Sequence, residues 1–528
     1  MSRRHNQARG IFSMIAGLSL VASASAADAA TLRVGAGQMY TTLGAALTAS
    51  RDGDVVEIVA GTYREEVVIA RNNLTIRAAD GGRVIFDRTG MPVTAQGGKG
   101  IFIVDGANAT IEGIEFVGAE CTSNNGAGIR WQGTGTLTVR RCVFRDNQNG
   151  ILGGNNAANI AVIENNEFIG NGRGDLGFTH NLYINEIAEL RFVGNWTHAL
   201  YTAGADVGHL LKSRARANYV LYNRITAENN YSSYEIQLTG GGLAYIIGNV
   251  IQQGPMSRNS GIISIGGDGT QHPDVGVYIV NNTIVNDLGR GNFVTVNAHP
   301  MLPVRIVNNF IVGMGTLISG GTPTMMNNVM STAPGFVNAA TYDYHLMMGS
   351  PAVNAGINAG MGGAFSLVAA NEYAHPRSTV TRMMVGAIDV GAYEFGSMGT
   401  DAGVVIDAAA PADSGVAPVD SGVAPPQDSG GNPADSGGNP ADSGVAPPQD
   451  SGGVVAMDAG SQSDGGSSSR DAAATGDGGG PAMNPGGCGC RVAAPRTSGP
   501  RALGALAIIA LATAGTARRR RRGVSSRS

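Results

Sequence analysis

Between residues 31 and 395 the apolar side chains alternate with polar ones by two, in runs of four to six separated by glycine and asparagine. That spacing predicts short β-strands; helices would need apolar residues at three- and four-residue intervals. A six-residue phrase recurs within the alternation: IEGIEF (111–116), VRRCVF (139–144), IENNEF (163–168), FVGNWT (192–197), LYNRIT (221–226), IIGNVI (246–251), IVNNTI (279–284), IVNNFI (306–311) and MMNNVM (325–330). Most copies stand about 24 to 33 residues apart, the range of a solenoid whose single coil is one supersecondary unit. A β-propeller blade needs about 40 residues or more and fits less well.

The fourth position of the phrase is Asn at 166, 195, 249, 282, 309 and 328. Asparagine tolerates a left-handed backbone, and coils stacked about 4.8 Å apart bring identical amides within bonding reach. An asparagine ladder at a coil corner is therefore expected. A coil stack has two exposed ends that need covers; the stretch 41–50 is expected to cover the first coil and residues 342–395 the last.

These features resemble the right-handed parallel β-helix proteins of the pectin-lyase-like superfamily. The opening TTLGAALTASRDGDVVEIVAGTYREEVVI (41–69) is similar to that group's capping helix and first coil. The close, SPAVNAG (350–356), HPR (375–377) and GAIDVGAYEF (386–395), is similar to the end of many secreted β-helix proteins. The expected fold is all-β, a right-handed parallel β-helix over 31–397 with an N-terminal capping helix.

Composition changes the picture at both ends. Arg3, Arg4 and Arg9 precede an apolar run from Ile11 to Val21 and the small residues Ala24, Ser25 and Ala26, so residues 1–30 read as a secretory signal. Residues 398–487 repeat DSGVAP, DSGGNPA and PPQDSGG with almost no aromatics, the composition of a disordered acidic stalk. Residues 488–528 carry Cys488 and Cys490, an apolar run from Ala502 to Ala517, and Arg518 to Arg522. This tail resembles the MYXO-CTERM sorting signals, which implies processing or lipidation at Cys488 or Cys490 and a membrane partner through the tail. The expected location is exported, held at the cell surface or outer membrane. Cys121 and Cys142 lie about one coil apart, and an exported chain meets oxidising conditions, so a disulfide between them is an open expectation. The net charge of −4 gives no support for nucleic acid as a partner, and a monomer is expected.

Candidate chemistry concentrates between His180 and Gly241. Three short strands are predicted at 181–185, 209–215 and 234–239. With Leu182, Ile184, Leu211, Ser213, Ile236 and Leu238 inward, alternation turns Tyr183, Lys212, Arg214, Glu235 and Gln237 outward. Lysine occurs only at Lys99 and Lys212 in a chain that otherwise uses arginine. A lysine crowded by cations can have its pKa lowered and act as a base, which arginine cannot do.

Lyases of the resembled superfamily remove the proton beside a uronate carboxylate with Lys or Arg. Carried onto this sequence, Lys212 is the base, Arg214 or Arg216 the carboxylate partner, and Tyr183 or His180 the proton donor. His209, Arg216, Gln237, Glu235 and Tyr234 are substrate-binding candidates, with Tyr201, Trp196 or Tyr234 as a stacking face. No compact Asp cluster surrounds Lys212; Asp206, Glu186 and Glu235 are the nearest acids, so no cofactor is assigned and calcium stays open. The partner expected is a polysaccharide, cleaved by β-elimination if the protein is an enzyme. The alternative is a non-catalytic carbohydrate-binding or adhesive surface rod.

Overall fold

The computed structural model describes residues 29–173, 178–200, 208–268 and 272–397. The predicted signal peptide up to residue 28, the stalk, the tail with Cys488 and Cys490, and the candidates Tyr201 and Asp206 lie outside the described residues. Among those described, no helix is long and apolar enough to cross a membrane.

The chain winds as a parallel β-solenoid. Three sheets of 12, 11 and 10 strands run along it, and successive coils add one strand to each in turn. Sheet 1 extends from Thr31–Val34 to Thr322–Met326, sheet 2 from Gly61–Tyr63 to Val329–Ser331, and sheet 3 from Val67–Ile69 to Thr316–Ser319. Every pairing in these sheets is parallel and the register barely shifts, so like residues stack from coil to coil. The interior row of sheet 1 passes through Val139, Ile163, Phe192, Val220, Ile246, Ile279 and Ile306, all inaccessible to solvent. In sheet 2, Phe116, Phe144 and Phe168 stack with centroids 5.1 and 4.9 Å apart and nearly parallel rings. Such continuous apolar rows stabilise by burial on both sides of each strand.

The corner between sheets 1 and 2 is the asparagine ladder. Asn249 shows the pattern: its Oδ1 accepts from the backbone N–H and the side-chain Nδ2 of Asn223, both at 2.9 Å. Its own Nδ2 donates to the Val220 carbonyl at 2.8 Å and to Asn282 Oδ1 at 2.9 Å. The same bonds join Asn166 to Asn195, Asn195 to Asn223, Asn282 to Asn309, and Asn309 to Asn328. Two details differ from the sequence reading. Asn223 belongs to the ladder, because in its coil the phrase begins one residue earlier, at Val220. The left-handed residue is the third position, not the ladder asparagine: Gly113, Arg141, Asn165, Gly194, Tyr222, Gly248, Asn281, Asn308 and Asn327 all have φ between 51° and 71°. The sharp turn is made there, and the ladder amide then points inward to satisfy the corner's backbone.

At the N-terminal end the helix Leu43–Ala49 closes the first coil, burying Leu43 and Ala46. Its first turn is held by Thr42, whose hydroxyl accepts from Ala45, and by Glu65, whose carboxylate accepts from the N–H groups of Leu43 and Gly44. The C-terminal segment does something else. Instead of covering the last coil, residues 336–395 turn back along the outside of the solenoid. Phe336, Tyr344, Val390 and Tyr393 pack with Val250, Val285 and Phe310 on the outer face of sheet 2. Ala359, Leu367 and Ala369 pack with Tyr222, Tyr245 and Val307 on the outer face of sheet 1. Buried Arg382 anchors this layer by donating to Glu394 and to the carbonyls of Asp389 and Gly391. Two of the three outer faces are thus covered, which leaves sheet 3.

The expected disulfide is absent. Cys142 occupies the ladder corner, where its backbone N–H donates to Asn166 Oδ1, and one residue on Val143 pairs with Glu115 rather than with the loop that carries Cys121. Cys121 lies instead against Ser123 and Gln148. Burial pushes the Cys142 thiol up to about 12, so under native conditions alkylation is expected to label Cys121 and to reach Cys142 only after unfolding. Mass spectrometry of the two peptides checks this; native labelling of both at one rate would contradict it.

Candidate functional site on the third sheet

The register of sheet 3 aligns Leu152, Tyr183, Lys212, Gln237 and Ser264 in one row on its outer side. Leu182, Leu211 and Ile236 form the adjacent inward row, as alternation predicts. The Lys212 amine lies over the Tyr183 ring at 5.1 Å from its centroid, and the Arg214 guanidinium lies over the same ring at 5.6 Å. Tyr183 Oη donates to Asn185 Oδ1 at 3.4 Å, and Arg214 Nη1 reaches the same oxygen at 3.4 Å. The row is recessed: Tyr183 and Lys212 are each 2% exposed. Lys212 is therefore outward in register yet enclosed, a consequence of neighbouring side chains and turns that alternation cannot register.

Three residues that sequence reasoning missed set the local electrostatics. Asp268 pairs with Arg214, accepting from Nε at 2.9 Å and from Nη2. It follows Ser264 by four residues, so extending the row one coil further would have found it. His272 donates from Nε2 to the Arg214 carbonyl at 2.8 Å, and Asn185 bridges the phenol and the guanidinium.

The histidines play a different part from the one expected. His180 and His209 stack with centroids 5.0 Å apart, and Tyr234 continues the row at 5.4 Å. His180 Nδ1 accepts the His209 backbone N–H at 3.0 Å, and His209 Nδ1 accepts that of Tyr234 at 3.2 Å. Each imidazole thus does at this corner what the ladder amides do at the other. Accepting at Nδ1 leaves the proton on Nε2 of a neutral ring. Burial, then His209, Lys212 and Arg214, hold His180 well below the usual histidine range; burial, then Lys212, does the same to His209. A neutral ring engaged in the fold is a poor proton donor.

Glu235 is a correction. It sits one residue before the strand Ile236–Leu238, alongside Leu210 and Ile262, and is 0% exposed. Its side chain takes a hydrogen bond from Ser232 at 2.6 Å, whose hydroxyl also meets Ser257 at 2.7 Å. It faces the interior and is not available to substrate. Arg216 is exposed on the turn into the strand Ala217–Leu221, outside the row, while half-buried Gln237 lies within it. Trp196 is on sheet 2, stacked on His198 at 3.7 Å, and cannot serve sheet 3. Glu186 is exposed and Glu235 is interior, and no three described His, Cys, Asp or Glu side chains converge as a metal set. The described donors do not fit calcium.

Burial raises the Glu235 carboxyl from 4.5 to about 8. The native protein then holds a proton that the unfolded chain releases, so this residue's contribution to stability is full below pH 4.5 and is lost as pH rises to about 8. Glu235→Gln is expected to flatten that slope and to raise stability at pH 8 by several kcal/mol at most. Urea unfolding of both proteins at the two ends of the window checks it; an unchanged slope would contradict it.

No protein-family model matches the chain, and no curated protein does. Among solved structures, the chain is similar to pectate lyase Pel9A, with a TM-score of 0.47 and 15% identity, covering 69% of this chain and 96% of that one. It is similar also to a pectin methylesterase in complex with a hexasaccharide, with a TM-score of 0.28, 11% identity and coverage of 50% and 80%. A third likeness is to the pectin methylesterase of Aspergillus niger, with a TM-score of 0.23, 14% identity and coverage of 57% and 85%.

Proposed function

We propose that this is an exported, surface-held β-helix protein that acts on uronate-containing polysaccharide by β-elimination. The observation that carries the reading is the alignment of Tyr183, Lys212 and Gln237 in one row, with Arg214 over the same phenol ring. In this scheme the Lys212 amine takes the proton from the carbon beside the uronate carboxylate. The bond to the glycosidic oxygen breaks as a carbon–carbon double bond forms, and the Tyr183 hydroxyl gives its proton to the departing oxygen. Arg214, its plane fixed by Asp268, offsets charge on the carboxylate, and Gln237 orients the sugar. His180, His209 and Tyr234 are positioning residues that hold the corner from which the row projects.

A second reading is favoured by one observation: Lys212 is enclosed and Arg214 already holds a carboxylate of its own chain. On that reading the protein binds glycan without turnover. Incubation with pectate, alginate and glycosaminoglycans, following the ultraviolet absorbance of the unsaturated product, separates the two. Product with any of these polymers is expected; retention on a glycan gel without product would favour the binding rod and overturn the lyase.

A further inference from the structure

The two ends of the solenoid are unlike. At the first coil the helix Leu43–Ala49 seals the interior, but at the last, among the described residues, the interior rows simply stop. Met325 continues the buried row of Ile306, Met330 that of Ile311, and Ile318 that of Val294. Met325 and Met330 are each 53% exposed, and Leu317 and Ile318 are half-buried, although their partners one coil earlier are fully enclosed. The segment that follows, which would have covered them, is spent on the outer faces of sheets 1 and 2.

From this we infer that the open end is a contact between two copies of the chain, tail to tail. Three observations select a second copy. The exposed surface is a cross-section of the solenoid's own core, so the shape that matches it is another such section. Residues 313–331 contain no charged side chain, so a two-fold contact, in which the same patch of both copies meets itself, brings no like charges together. The other end is sealed, so association closes at two chains and does not grow into a filament. Pro323, paired with Val304 on the end strand of sheet 1, lacks an N–H for the free edge. The contact is accordingly made by side chains there, not by strand addition.

Sedimentation of the full chain is expected to give twice the chain mass, and Met325→Glu with Met330→Glu is expected to return it to a single chain with an unchanged circular dichroism spectrum. A photo-cross-linker at position 330 is expected to join residues 316–330 of a second copy. The proposal is overturned if the unsubstituted chain sediments singly, if the pair persists in the double variant, or if the cross-link falls instead on residues 398–528 of the same chain. The cross-link decides the matter even if the double variant does not fold.

Discussion

Replacing Lys212 with alanine is expected to reduce the rate of unsaturated-product formation by roughly 10²–10⁴-fold, the usual contribution of a positioned acid–base group. Lys212→Arg keeps the charge but replaces an amine whose pKa can be lowered with a guanidinium that gives up its proton far less readily, so it should restore only part of the lost rate. Tyr183→Phe separates the roles further: it leaves the ring beneath the two cations but removes the hydroxyl that meets Asn185, so kcat should fall more than KM rises. Steady-state kinetics on whichever polymer yields product provides the measurement. Undiminished turnover in Lys212→Ala would remove the amine from the reaction altogether.

The second large effect concerns stability. Asn249→Ala takes away two acceptor bonds to Asn223 and two donor bonds to Val220 and Asn282, all within the closed interior. Each buried partner left without a bond costs about 1–3 kcal/mol, so a loss of about 2–5 kcal/mol is expected. The terminal Asn328 donates to Ile306 and accepts from Asn309 but has no following coil, and it is only half-buried. Asn328→Ala should therefore cost clearly less. Urea denaturation of the two variants tests the order; equal losses would mean that the amides do not act as a chain.

The solenoid was legible because its signal is repeated: one coil's alternation is weak, but nine copies of a phrase fix the period and the corner. The misplaced phrase at Leu221 shows the limit, since a run of apolar residues can be entered one position late without breaking the pattern. Third-position Arg141 and Tyr222, both left-handed, were unreadable because neither residue type announces that conformation. For the site, alternation gave the row of Tyr183, Lys212 and Gln237 correctly, since it depends on register alone. It failed for Glu235, which lies at a corner where two successive residues face inward and period two no longer holds. Asp268 was missed because the row was followed only as far as Gln237; it stands in the turn after Ser264, one coil on.

The returning segment also acts as a ruler. Arg377 meets Glu167, Ala370 donates to the Tyr222 hydroxyl, the Tyr245 hydroxyl reaches Gly362, and Arg305 holds Ala359 and Met361. Adding or removing one turn between Glu167 and Arg305 would put the clasps on its two sides out of step with each other. Among the described residues no such scale is laid along the rod upstream of Glu167, so lengthening by whole turns should be tolerated there and penalised below it.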